Sequence, residues 1–212
     1  MSIRASFFFT MIYPVKTPSI LRKIYPSLTW HKSREKRILY LTFDDGPSPG
    51  ITDEVLKILG EHDVKACFFL IGDKIQKFPQ VYNSLVENGH QIGNHTYHHL
   101  NGWKTSTEAY LDNFHRCAEL IQSNLFRPPH GRIKSSQIKL LKDQEIIMWD
   151  VLSGDFDPKL SGQDCLNNLI ENVENGSIIV MHDSEKAKEK VLFALPKFLK
   201  WAKQQEYEFG LL

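Results

Sequence analysis

The sequence predicts an α/β domain organised as a barrel of βα units, and three observations predict it. Short apolar runs alternate with helical patterns over most of the chain, as strands of a parallel sheet alternate with their crossover helices. Clusters of Gly, Pro and polar residues follow the runs, which is where loops belong. With 212 residues the chain suits one core, yet it falls short of the roughly 250 residues of a full eightfold barrel.

Taken in order, residues 37–43 (Arg-Ile-Leu-Tyr-Leu-Thr-Phe) read as a buried strand ended by the loop 44–50. A helix over 52–60, a strand over 66–71 and a helix over 79–88 stopped by Gly89 come next. His90-Gln91-Ile92-Gly93 is a short strand. Apolar residues at helical spacing (Tyr110, Leu111, Phe114, Ala118, Leu120, Ile121) predict a helix over 105–123. Residues 125–127 read as a strand, 135–143 as a helix, and 145–150 as another strand. The series closes with helix 163–174, strand 177–181, helix 185–204 and strand 207–212.

The formal net charge of +1 excludes binding of nucleic acid or membrane by bulk electrostatics. Charge is unevenly placed, however. Residues 1–37 carry eight cations (Arg4, Lys16, Arg22, Lys23, Lys32, Arg34, Lys36, Arg37) against Glu35, leaving 18 basic and 24 acidic residues beyond. A basic N-terminal arm, 1–36, therefore precedes the domain expected over 37–212, and its charge fits either an anionic glycan or membrane surface or, at least as well, solvation over the closed end of the barrel. The apolar stretch from Ala5 to Tyr13 faintly resembles a signal-peptide core, but no small-x-small cleavage site follows and Tyr13-Pro14-Val15-Lys16 ends it short of a membrane span. Three widely spaced cysteines, Cys67, Cys117 and Cys165, fit buried free thiols rather than a disulfide framework.

In α/β barrels the reactive groups follow the C-terminal ends of the strands. Asp44-Asp45, His95 to His99, Arg127 to Arg132, His182-Asp183 and the stretch 149–157 all fall there. His95 and His99 are four apart, so on one helical turn they share a face and converge on one ion, with His98 left out. Asp44 and Asp45 can serve the same site only if the strand stops beside them, which Gly46-Pro47 ensures. Two histidines with one aspartate leave coordination positions open, as catalytic metal sites do. The same ligand types form the triad of non-haem iron oxygenases, but there the carboxylate lies close to the first histidine. Here it precedes it by about fifty residues.

These residues carry a family resemblance. Thr42-Phe43-Asp44-Asp45-Gly46 resembles the T-F-D-D-G motif of the polysaccharide deacetylases (the NodB-homology family), and His95-Thr96-Tyr97-His98-His99 resembles their H-[ST]-x-x-H motif. Arg127-Pro128-Pro129-His130-Gly131 is similar to the third motif, R-x-P-[YF]-G. The stretches 149–156 and Ile179-Val180-Met181-His182 are similar to the fourth and fifth. The resemblance covers residues 38–212 and implies a distorted, incomplete (β/α) barrel that removes acetyl groups from N-acetylated, or O-acetylated, sugars of a glycan. It implies Asp45, His95 and His99 as ligands of a divalent metal, zinc first with cobalt or nickel as substitutes. Asp44 is then the general base, oriented by Arg127, and His182 the general acid, oriented by Asp155. His130 (through its backbone N–H), Phe156 and Val180 are implied at the oxyanion and substrate positions.

Two departures stand out. The fourth motif usually reads D-x-x-D-W, but Leu152 replaces its first acid and Phe156 its tryptophan. His130 takes the place of the aromatic in the third. Neither removes a ligand, base or acid. A catalytically inactive glycan-binding relative is disfavoured by Asp44, the residue least needed for binding alone.

Overall fold

Strand β1 (Ile38–Asp44) is the centre of the sheet, because residues 39–44 alternate into two different apolar environments and are nearly all buried. The computed structural model describes residues 13–212. Before β1 lies α1 (Ser19–Ile24), and after it come α2 (Ile51–Glu61), β2 (Cys67–Leu70), α3 (Gly72–Lys77), α4 (Pro79–Glu87) and β3 (Gln91–Asn94). Next are α5 (Thr107–Ala118), β4 (Leu125–Phe126), α6 (Ser135–Leu140), β5 (Glu145–Ile146) and β6 (Val151–Leu152). The chain finishes with α7 (Gly162–Asn172), β7 (Ile178–His182), α8 (Lys188–Gln204) and β8 (Glu208–Phe209). The strands run parallel in the order β5-β4-β3-β2-β1-β7-β6, and β8 pairs with the first residues of β1. Curled and covered by helices, this sheet is a distorted, incomplete (β/α) barrel.

Two apolar layers account for the curl. Outside the sheet, Leu39, Leu41 and Phe43 of β1 and Ile179 and Met181 of β7 pack beneath α2, α7 and α8 through Val55, Leu59, Leu169, Leu195 and Phe198. Inside lies a smaller cluster of Cys67, Phe69, Leu125, Ile147 and Ile178, with Tyr40 against it. The three cysteines are buried free thiols, as expected. Burying side chains of this size contributes roughly 1.5 to 3 kcal/mol each, so the inner face is left free to carry polar groups only near its open end.

Local signals explain several boundaries. Ser161 caps α7 by accepting from Asp164 N–H while Asp164 accepts from Ser161 N–H. Ser106 caps α5, and Pro79 opens α4. The sequence reading missed α1 and α3, each six residues and too short to show a period. It also extended the helix expected over 105–123, which stops at Ala118.

The strand expected over 145–150 is a larger correction. Its first two residues pair with β4 at one edge of the sheet, while Val151–Leu152 pairs with β7 at the other. The segment between crosses the gap, and one stretch of backbone cannot ladder with both edges. The N-terminal segment laces that crossing. Thr29 N–H donates to Ile146 C=O (2.9 Å), Met148 N–H to Thr29 C=O (2.7 Å), Thr17 N–H to Asp150 C=O (2.8 Å) and Leu152 N–H to Val15 C=O (2.9 Å). Its charges are engaged as well. Lys16 and Arg34 reach the buried Asp150 at 2.8 and 3.0 Å, and Lys32 reaches Glu145 at 2.9 Å. Solvated charge is therefore not what these cations provide. The signal-like stretch lies almost wholly outside the described residues; among those described, no helix is long and apolar enough to cross a membrane.

Candidate active site

The register gathers the polar clusters at one end of the sheet. Asp44 ends β1 directly beside His182 of β7, Asn94 and Phe126 end β3 and β4 just before His95 and Arg127, and Leu152 ends β6 shortly before Asp155.

Asp45 follows β1 with φ 78°, a left-handed conformation that breaks the alternation and frees its carboxylate from the opposite face. The turn thus begins at Asp45 itself, one residue before Gly46. Glycine is needed next: a Cβ at Gly46 would lie 2.2 Å from Asp183 Oδ2. Lys74, on the unanticipated helix α3, donates from Nζ to Asp45 C=O (2.6 Å) and Ser48 Oγ (3.1 Å). Asp183 accepts from Thr52 Oγ1 (2.5 Å), and burial pushes its carboxyl up to about 7. Lys74 and Asp183 thus hold the loop, and neither was singled out for a role from the sequence.

His95 and His99 converge, but not on a helical turn. Thr96 and His99 both adopt positive φ, 63° and 56°, in a loop held by side chains. Asn94 Oδ1 accepts from Thr96 N–H (2.7 Å), Thr96 Oγ1 from Leu100 N–H (3.2 Å) and Asn113 Oδ1 from His98 N–H (2.8 Å). Such local bonds outcompete the helical ladder. His98 is turned away onto Asn113, as the spacing suggested. His95 Nδ1 lies 2.8 Å from Arg127 C=O, an acceptor only, so Nδ1 carries the proton and Nε2 keeps its lone pair. That Nε2 is 3.7 Å from Asp45 Oδ1, and His99 Nε2 is 3.1 Å from the same oxygen. One ligand atom from each of Asp45, His95 and His99 lies within 4.8 Å of the others. Burial pulls the His95 pKa down to about 4, which favours the neutral imidazole that a metal needs. Against the cost of burial, the hydrogen bond from His99 and the nearby His182 and His95 hold the Asp45 carboxyl well below the usual range. Two imidazoles with a carboxylate, one ring nitrogen of His95 already fixed by a carbonyl, are a donor set that fits a divalent metal.

Arg127 is fully buried in the barrel. Its Nη1 donates to Asp44 Oδ1 (2.7 Å) and Thr42 Oγ1 (2.6 Å), Nε to Ile147 C=O (3.2 Å) and Nη2 to Met148 C=O (3.0 Å). On the other side, His182 Nδ1 is 2.7 Å from Asp155 Oδ1, and His182 N–H donates to Asp155 Oδ2 at 2.7 Å. Burial alone would lower the His182 pKa, but the Asp155 charge and hydrogen bond outweigh it and raise it to about 9. Phe156 lies edge-on to His182 at 5.3 Å, and Val180 shares the strand face of His182 two residues earlier. His130 sits at φ 59° with its ring 4.5 Å from that of His99, and burial pulls its pKa down to about 4. All ten residues singled out from the sequence thus flank this end of the barrel.

Comparison with known proteins decides the family. The family model described as polysaccharide deacetylase matches residues 31–149. The chain belongs to the polysaccharide deacetylase family. It is therefore a hydrolase of the class that acts on carbon–nitrogen bonds other than peptide bonds. Among its relatives, a peptidoglycan-N-acetylglucosamine deacetylase of Bacillus cereus is 32% identical over 190 residues, covering 86% of this chain and 89% of the relative. A chitooligosaccharide deacetylase of Azorhizobium caulinodans is 32% identical over 155 residues, covering 68% and 73%. A crystal structure of a peptidoglycan N-acetylglucosamine deacetylase bound to an aryl hydroxamate superposes with a TM-score of 0.86 at 30% identity, over 92% of this chain and 95% of the other.

Proposed function

We propose that this deacetylase hydrolyses the acetamido group of an N-acetylglucosamine unit in a cell-wall or chitin-type glycan, with a divalent metal, zinc first, held by Asp45, His95 and His99. The observation that carries the reading is the convergence of two imidazoles and one carboxylate beside a second, separately held carboxylate, Asp44. Relatives that act on peptidoglycan and chitooligosaccharide support the substrate class. When bound, the metal supplies Lewis acidity, polarising the amide carbonyl and acidifying the attacking water.

The chain's residues supply the proton transfers. Asp44, oriented through Oδ1 by Arg127, accepts the proton of the attacking water. The backbone N–H of His130 stabilises negative charge on the carbonyl oxygen; the N–H groups of Gly131 and Arg132 are already donated to Pro128 and Pro129 carbonyls. His182, held by Asp155 with Nδ1 protonated, delivers a proton from Nε2 to the departing nitrogen. Phe156 and Val180 form the apolar wall against the acetyl methyl. Acetate and a free amine result. A panel of chitooligosaccharides, peptidoglycan fragments and O-acetylated xylan, assayed for acetate, tests the reading: release from the N-acetylated members supports it, and release from xylan alone would reassign the enzyme to esters.

A further inference from the structure

The parallel sheet leaves a gap between β5 and β6, and residues 147–150 cross it. Neighbouring strands supply two backbone partners in that crossing: Phe126 C=O accepts from Ile147 N–H (2.8 Å) and Ile178 C=O from Asp150 N–H (2.9 Å). Met148 lies between them, and its N–H donates to Thr29 C=O (2.7 Å) in the N-terminal segment.

The peptide unit joining Ile147 to Met148 is therefore bonded on both sides. Its N–H meets Thr29, and its C=O accepts from Arg127 Nε (3.2 Å). A peptide unit is planar, so a rotation that loses one of these bonds misaims the other. The next carbonyl, of Met148, accepts from Arg127 Nη2 (3.0 Å). Five consecutive carbonyls are thus divided between two partners. Those of Ile147 and Met148 face Arg127, while those of Ile146, Trp149 and Asp150 accept from Thr29 N–H (2.9 Å), Thr17 Oγ1 (2.8 Å) and Thr17 N–H (2.8 Å). The other two acceptors of the Arg127 guanidinium, Asp44 Oδ1 and Thr42 Oγ1, lie on β1.

The N-terminal segment is fastened at both ends and in its middle. Lys16 Nζ and Arg34 Nη2 close on the same oxygen of the buried Asp150, at 2.8 and 3.0 Å. Between them, Leu28 and Trp30 are buried in one apolar cluster with Ile146 and Met148. We propose that residues 15–34 are a strap that positions the general base: by fixing the crossing they aim the Arg127 guanidinium, and through it the Asp44 carboxylate. The inference rests on the reading of Asp44 as the base.

The test pairs two identical truncations, Leu28→Ala in the strap and Leu199→Ala in the C-terminal half of α8, where the side chain belongs to the outer layer. Both are measured on the zinc-loaded full chain with N-acetylglucosamine oligomers, below the onset of unfolding. A catalytic group displaced by 1 Å costs on the order of a hundredfold, so a loosened strap should lower kcat about tenfold to thirtyfold. KM and the zinc Kd should stay within about twofold, and Leu199→Ala should keep kcat within about twofold, because neither change touches what Arg127 holds. Thr17→Val removes one hydroxyl, serves if Leu28→Ala does not fold, and should lower kcat about fivefold. Arg127→Lys keeps the charge but lacks the fork that meets both carbonyls, so in that background the Thr17→Val loss should shrink to under about twofold. The same Thr17→Val loss in both backgrounds, or equal kcat in Leu28→Ala and Leu199→Ala, would overturn the proposal. Wild-type kcat in Asp44→Asn would remove the base and the strap's role with it, whereas lost turnover there beside unaltered kcat in the strap variants overturns the strap alone.

Discussion

Replacing Arg127 by Met should destabilise the protein because of Asp44 rather than because of lost volume. Arg127 is fully buried, stacks over Phe69 with its guanidinium 4.1 Å from the ring centroid, and makes four hydrogen bonds. Methionine fills much of the same space, but it leaves the Asp44 carboxylate in a buried setting without its cation. Removing one partner of such a pair costs about 3 to 5 kcal/mol. At about 2 to 4 °C per kcal/mol for a chain of this size, the melting temperature should fall by roughly 10 °C. If the stranded charge is the cause, Asp44→Asn should recover about 2 kcal/mol when added to Arg127→Met, although alone it destabilises. Thermal and denaturant unfolding of the zinc-loaded wild type, both single variants and the double variant measure this coupling. Additivity within about 0.5 kcal/mol would refute the pairing as the source of the loss.

Other outcomes follow from the same geometry. Asp44→Asn should keep its metal and lose turnover about a hundredfold to ten-thousandfold, whereas Asp45→Asn should lose metal affinity as well; elemental analysis of both variants checks the division, and equal metal loss would reverse it. His182 must be protonated to act, so kcat/KM should fall as pH rises through its raised pKa, at or below about 9 once a bound cation offsets Asp44 and Asp45. Asp155→Asn removes the raising charge while burial remains, and the alkaline limb should move at least roughly two units toward acid; an unmoved limb would exclude His182 as the acid. His130→Tyr should cost under about tenfold in kcat, because the role given to this residue belongs to its backbone N–H. Gly46→Ala, whose Cβ would collide with Asp183, should cost about 1 to 3 kcal/mol by unfolding and weaken metal binding by shifting Asp45.

The strand ends were legible because chemistry there is written in contiguous letters. Thr42 to Gly46 names a strand, its stop and two carboxylates at once, and the sheet then had only to bring His95, Arg127 and His182 to the same end. What the sequence could not convey is how backbone is used once local and tertiary demands conflict. Spacing of four between His95 and His99 suggested a helical turn, but the Asn94, Thr96 and Asn113 side chains satisfy that backbone in another way. Residues 145–150 read as one strand, since nothing local distinguishes a strand from a crossing that ends on opposite edges of a curled sheet. Lys74 lies on a helix too short to show a period, and its partners, the Asp45 carbonyl and the Ser48 hydroxyl, lie more than twenty residues away. The cations Lys16 and Arg34 looked solvated because Asp150, which they meet, lies more than a hundred residues away.

The central claim is that acetate release depends on a metal held by Asp45, His95 and His99. Acetate released from N-acetylglucosamine oligomers and peptidoglycan fragments should be measured on protein stripped by chelation and again after stepwise return of zinc. The account predicts loss of activity on stripping, recovery that saturates near one zinc per chain, and no recovery in a His95→Ala, His99→Ala double variant. Undiminished acetate release from the stripped protein, or full recovery by the double variant, would contradict it.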